Sequence, residues 1–335
     1  MPSPPAPLPP ELGRTFHYGE ARARGASPRR LRAGDLAAPH RGVRVRVAEV
    51  GREPDDTDRA SRIGHAVRRR AEAYDVVRHP DAFFVGRTAL ALYALPLERL
   101  PGEQLSGDLL LSGGAALDVG VFAPQRAPRA RGVRGVQVRP ALATLRSVGG
   151  FPVTSPASTW ALLAGELDAT GLTRLGDALV RIPRDERGRL LPDHRLATME
   201  QLRAAADVPR RRGRPALYAA LAQIRVGSAS PLETNWRLAA DAEGMPEFAL
   251  DVEIRDARGA LLGIADAAHH GYRVAVEIEG DHHRTDRAQW SRDIEKHAAY
   301  VAAGWEPVRL TAAHIRSGRA TILLGDALRR RGWIG

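Results

Sequence analysis

The sharpest alternation of apolar and polar positions lies in the last hundred or so residues. SPLETNWRLAADAEG opens with Ser230, Pro231 and Glu233, a capping box with proline at the first helical position, and its helix ends at Gly244. MPEFALDVEIRDARGALLGIADAAHHGYRVAVEIEGDHH then reads as three short strands with turns at DARG and HHG. TDRAQWSRDIEKHAAYVAAGW is a helix, capped near Thr285 or Asp286 and closed by Gly304, and EPVRLTAAHI is a final strand before a short helix. The order is αβββαβ. In YRVAVEIEG the period is two: Val274, Val276 and Ile278 share one face, Ala275, Glu277 and Glu279 the other.

The rest of the chain is patterned less regularly. Residues 1–12 are proline-rich and read as a flexible tail. Ser27 and Pro28 look like a cap and first helical position ahead of RRLRAGDL, and Gly42 opens the alternating strand VRVRV, together a winged-helix-like region over 13–95. A helix is expected from about Asp58 to Tyr74, followed by the apolar segment AFFVGRTALALYAL. Residues 96–208 form a mixed α/β middle region: strands DLLLSG, ALDVGVF and VRGVQVRP, then helices SPASTWALLAGEL and GLTRLGDALVRI. PRRRGRP begins a basic linker over 209–225, and 226–335 is the C-terminal domain. The expected class is therefore α/β and α+β multidomain.

Composition narrows the chemistry. The chain has 335 residues and no cysteine, which excludes disulfides, thiolate zinc sites and cysteine nucleophiles. No run of about eighteen apolar residues exists, and the first residues lack a signal-peptide core, so the expectation is a soluble, cytoplasmic protein without a membrane partner. Residues 231–335 hold 14 basic and 16 acidic side chains, leaving 36 against 23 upstream. A basic front joined to a carboxylate-bearing back suits a polyanion partner. Arg29, Arg30 and Arg32, with Arg210, Arg211, Arg212 and Arg214 of the linker, are the candidate DNA contacts; Arg-Gly-Arg-Pro also suits a narrow minor groove, or else a solvated hinge.

Two carboxylates on one strand face repel unless a cation or proton lies between them. Asp266, at the end of the preceding strand, adds a third, and three hard oxygen donors suit Mg²⁺ or Mn²⁺.

Asp266, VAVEIEGDHHR, the Arg-Asp pair at Asp293 and AAGWEPVRLT, in that order, resemble the endonuclease-domain proteins related to very-short-patch-repair endonucleases, within the PD-(D/E)xK superfamily. The resemblance spans about 226–335 and implies a restriction-endonuclease-like core. It implies that Asp266 and Glu277 bind metal, that Glu279 is the acid of E-x-D-G, and that His283 is the family histidine with His282 beside it. Glu279 stands where many members carry lysine. Lys296, the only lysine of the chain, is the replacement candidate: Asp293, Lys296, His297 and Tyr300 form one helical stripe, with Ile294, Ala298 and Val301 as the stripe that packs. A plain Asp293–Lys296 surface pair fits the same spacing. Glu233, His282 and Asp293 are supporting candidates. FHYGEARARGASPRRLRAGDLAAPHRGVRV resembles the N-terminal winged helix of AbiEi-type antitoxins. The implied function is a metal-dependent DNA endonuclease with an N-terminal DNA-binding module, RNA being an alternative substrate. The alternative is an antitoxin-type regulator whose nuclease-like domain is inactive.

Overall fold

The structure is a computed structural model that describes residues 5–47, 59–95, 116–279 and 287–335. Among these lie eleven α-helices and twelve strands in three sheets, a mixed α/β architecture. The chain divides into two compact units, Met1–Glu166 with Asp207–Arg212, and Leu167–Ala206 with Gly213–Gly335. No described helix is long and apolar enough to cross a membrane.

The first unit opens with a three-stranded antiparallel sheet, β1 (Thr15–His17), β2 (Leu36–Ala37) and β3 (Val43–Arg46), with β3 central, beside α1 (Tyr18–Ala23). The helix expected after Ser27 is only a 3-10 turn, Arg30–Arg32, although the Ser27 hydroxyl does accept the Arg30 amide. The tail is not loose at its described end: Leu8 and Leu12 are buried with Phe16, Ala21 and Leu31. Two apolar side chains with a core to enter outweigh the proline composition that suggested a free tail.

Next come α2 (Arg59–Asp75), β4 (Phe83–Phe84) and α3 (Gly86–Leu92), so the apolar segment after α2 splits into strand and helix. β5 (Leu117–Phe122) and β6 (Val133–Val138) follow as read, while β7 (Leu145–Val148) and β8 (Phe151–Thr154) form an unforeseen hairpin. The five strands order as β6-β5-β4-β8-β7. The expected strand DLLLSG lies outside the described residues. Ser155 caps α4 (Pro156–Leu162) by accepting the Ser158 amide.

The second unit starts with α5 (Ala169–Val180), α6 (Met199–Asp207) and α7 (Arg214–Gln223). Much of the stretch read as a linker is therefore helix. Its Pro215 stands at the start of α7, where a missing N–H costs nothing, rather than at a break. Then come α8 (Pro231–Ala242), β9 (Ala249–Arg255), β10 (Leu261–His269), β11 (Val274–Glu279), α9 (Arg287–Ala302), β12 (Glu306–Thr311), α10 (Ala312–Arg316) and α11 (Arg319–Arg330). This is the expected αβββαβ order. The sheet runs β12-β11-β10-β9, antiparallel except for the parallel pair β11–β12 that a helical crossover requires. Val274, Val276 and Leu310 bury against Trp236, Leu324 and Leu328 on one side of it.

A buried polar node ties α8 to α5. Asp177 accepts from the Arg225 amide, the Thr234 hydroxyl and Arg237 Nη2, each at 2.8 Å. Removing one partner of such a pair strands the other charge. Asp177→Ala should therefore lower unfolding free energy by about 3–5 kcal/mol, read by urea denaturation. A loss under about 1 kcal/mol would show that Arg237 finds other compensation.

Candidate functional site

The site grows from an irregularity in the sheet. Asp251 of β9 has a left-handed φ of 52°. Pairing between β9 and β10 passes from Ala265↔Val252 to Ala267↔Leu250 without using Asp251 and Asp266. Both strands roll there. Val252, Ile254, Ala265 and Ala268 cluster with Tyr300 on one face, while Leu250 and Ala267 join the Trp236 core on the other. A regular strand, alternating at every residue, does not place 265 and 268 together. The β10–β11 ladder also stops here, at Ala267↔Val276, and beyond it the Ile278 amide donates to Asp266 Oδ2 over 2.6 Å. Burial raises the Asp266 carboxyl above the ordinary carboxylate range, against the pull of the Ile278 amide and Lys296.

Glu277 is held from α9. Lys296 Nζ lies 2.8 and 2.9 Å from the two Glu277 oxygens and donates to the Ile264 carbonyl at 2.7 Å. The lysine thus turns to the strand carboxylate. The helix face differs from expectation in consequence: Ile294 and Val301 are 45 and 53 % exposed, whereas Tyr300 is 1 % exposed. Alanines at 265, 268 and 275 floor this face of the sheet, and their shallowness admits the Tyr300 ring and the lysine stem.

Glu279 does not join the other two. It forms an ion pair with Arg309 of β12. Among the described residues no three His, Asp or Glu side chains form a group that could hold a metal ion, so the three expected carboxylates do not gather as one cluster. His282, His283 and the Asp293 side chain lie outside the described residues.

Glu233 enters from the first turn of α8. Ser230 Oγ accepts its amide at 3.2 Å, but Glu233 Oε2 takes the Ala229 amide at 2.6 Å. A capping box would use the Ser230 amide, so only half of one is made. Burial first, and the charge of Asp266 second, push this carboxyl up to about 7. Glu233 thus belongs to the site as well as to the cap.

Sequence reasoning missed Asp251, held by Arg184 Nε at 2.8 and 2.9 Å, and gave Tyr300 no role. No local pattern marks a left-handed aspartate inside a strand.

The arginines divide. Arg30 bonds both oxygens of Asp35, at 2.8 and 2.6 Å. Arg211 is buried and donates to the Leu142 carbonyl at 2.8 Å, which corrects the solvated hinge. Arg29, Arg32, Arg210, Arg212 and Arg214 are exposed, Arg214 lying over the Tyr218 ring.

No protein-family model, curated protein or solved structure matches the chain.

The Glu233 shift has a stability consequence of definite sign. The folded carboxyl keeps its proton up to about pH 7, while an ordinary one loses it near 4.5. The native state therefore binds more protons in that window, and stability falls as pH rises through it, by up to about 3 kcal/mol. Glu233→Gln, neutral throughout, should flatten the dependence in urea titrations at pH 5 and 8. An unchanged slope in the variant would assign the dependence to other groups.

Proposed function

We propose that the C-terminal half is a metal-dependent, restriction-endonuclease-like phosphodiesterase core acting on DNA. The arginine-rich front, winged-helix-like in its first segment, would supply backbone affinity. One observation carries the reading: the only lysine of the chain reaches from its helix to the strand carboxylate Glu277, next to Asp266. That sets an ammonium on one carboxylate and within electrostatic reach of a second, buried one, which supports a site for phosphate chemistry.

Mg²⁺ or Mn²⁺ fits this donor set, because Mg²⁺ commonly takes one or two carboxylates and keeps waters and phosphate oxygens for its other positions. When bound, such an ion acidifies a water and offsets charge on the phosphate. Asp266 and Glu277 supply the hard oxygens. Lys296 presents a compact positive charge for a phosphate oxygen. Glu233, raised to about 7, holds or releases a proton beside Asp266 near neutral pH. Exposed Arg29, Arg32, Arg210, Arg212 and Arg214 offer sequence-blind phosphate contacts whose strength falls with salt.

The Glu279–Arg309 pair favours a second reading, because an acid already neutralised contributes little to a metal centre. On that reading the protein is an antitoxin-type DNA-binding regulator with an inert nuclease-like half.

Supercoiled plasmid separates the two. Wild-type protein with Mg²⁺ or Mn²⁺ should nick it. Glu277→Gln and Lys296→Ala should each slow single-turnover cleavage on the order of a hundredfold. Replacing the plasmid by structured RNA tests the alternative substrate. Binding without cleavage of either, in the presence of both ions, would leave the regulator.

A further inference from the structure

The Tyr300 hydroxyl is not explained by packing. The ring is 1 % exposed among Ile254, Ala265, Ala268 and Ala275, and its oxygen has no hydrogen-bond partner among the described residues. Leaving a buried donor unmet costs about 1–3 kcal/mol, and phenylalanine would fill the same space without that cost. The charges of Glu277 and Asp266 both act on the hydroxyl. Lys296 and Tyr300 stand four residues apart on α9, with Lys296 Nζ 5.6 Å from the Tyr300 ring centre. Gly263 of β10 makes room for both tips: a Cβ there would come 2.7 Å from the Tyr300 oxygen and 2.9 Å from Lys296 Cε.

Lys296 is fully engaged in this arrangement, by the Ile264 carbonyl and by Glu277. Meeting a phosphate requires the ammonium to leave Glu277. The carboxylate then gives up that donor in a half-buried position, where the loss of a donor is costly. We infer that Tyr300 is a positioning residue whose hydroxyl takes over a Glu277 oxygen when Lys296 moves to a phosphate. Burial and the nearby charges of Glu277 and Asp266 raise the phenol well above its ordinary range, so it stays a protonated donor. The inference rests on the phosphodiesterase reading for the phosphate, but the exchange of donors on Glu277 is testable without it.

The experiment is a thermal double-mutant cycle on the full chain. In the wild-type background Tyr300→Phe should leave the melting temperature unchanged or raise it, since an unmet donor is removed. Lys296→Met keeps the stem but withdraws the ammonium from Glu277. In that background Tyr300→Phe should lower the melting temperature by about 3 °C or more. Lys296→Gln replaces Lys296→Met in the cycle if the methionine variant does not fold. The same shift in both backgrounds overturns the proposal and makes Tyr300 a packing residue. Plasmid cleavage by the same preparations reports separately on the enzyme: absent cleavage with a background-dependent shift refutes the nuclease and keeps the donor exchange.

Discussion

Where β10 and β11 part, a side chain replaces main chain. Asp266 accepts the Ile278 amide, and the neighbouring Asp251 turns left-handed so that β9 and β10 roll together. Had the ladder continued, Asp266 would alternate regularly with its neighbours, and Ala265 would share a face with Ala267. The roll instead gathers Ala265, Ala268 and Ala275 under α9. That alanine floor decides what the helix can bring down. Every feature of the site follows from it, including the reach of Lys296, the depth of Tyr300 and the burial that raises Asp266.

The partition of carboxylates follows the same constraint. Four acids of the sheet, Asp251, Asp266, Glu277 and Glu279, are each met differently. Asp251 is held by Arg184, Glu279 by Arg309 and Glu277 by Lys296, while Asp266 has an amide and a more distant ammonium. Glu233, the fifth, enters from α8 and is close enough to Asp266 for its charge to matter. Like charges this close do not all ionise independently. The least compensated members, Asp266 and Glu233, are those whose carboxyls are raised, and they are neighbours. Protonation is therefore favoured at one corner of the site rather than spread along the strand face.

Much of this half was legible in the sequence. The αβββαβ order came from period changes and caps, and the alternation in YRVAVEIEG placed Val274 and Val276 in the core correctly. The site was legible in its residues more than in its geometry. Lys296 pairs with Glu277 and its charge reaches Asp266, but Glu279 has an arginine from a strand that sequence alone could not place in register. Arg30 and Arg211 show the same limit: a run of arginines does not say which one is taken by Asp35 or by a carbonyl. The β7–β8 hairpin and the helix within 209–225 were hidden by turn-forming glycines and prolines read as breaks.

The reading of α9 failed for an instructive reason. Apolar periodicity assigns the inward face to Ile294, Ala298 and Val301, on the premise that apolar side chains pack and charged ones do not. That premise assumes a sheet surface of ordinary depth. Here the strands contribute alanines and Gly263, so a flat helix face would leave a gap, and long amphipathic side chains fill it better. Tyr300 and Lys296 bury their apolar bodies, and the lysine brings its ammonium to Glu277. The informative pattern is thus a joint one: small residues at 263, 265, 268 and 275 on the strands, with lysine and tyrosine four apart on the helix that crosses them. Either half alone looks ordinary. Together they specify a recess deep enough for a lysine from α9 to reach a strand carboxylate.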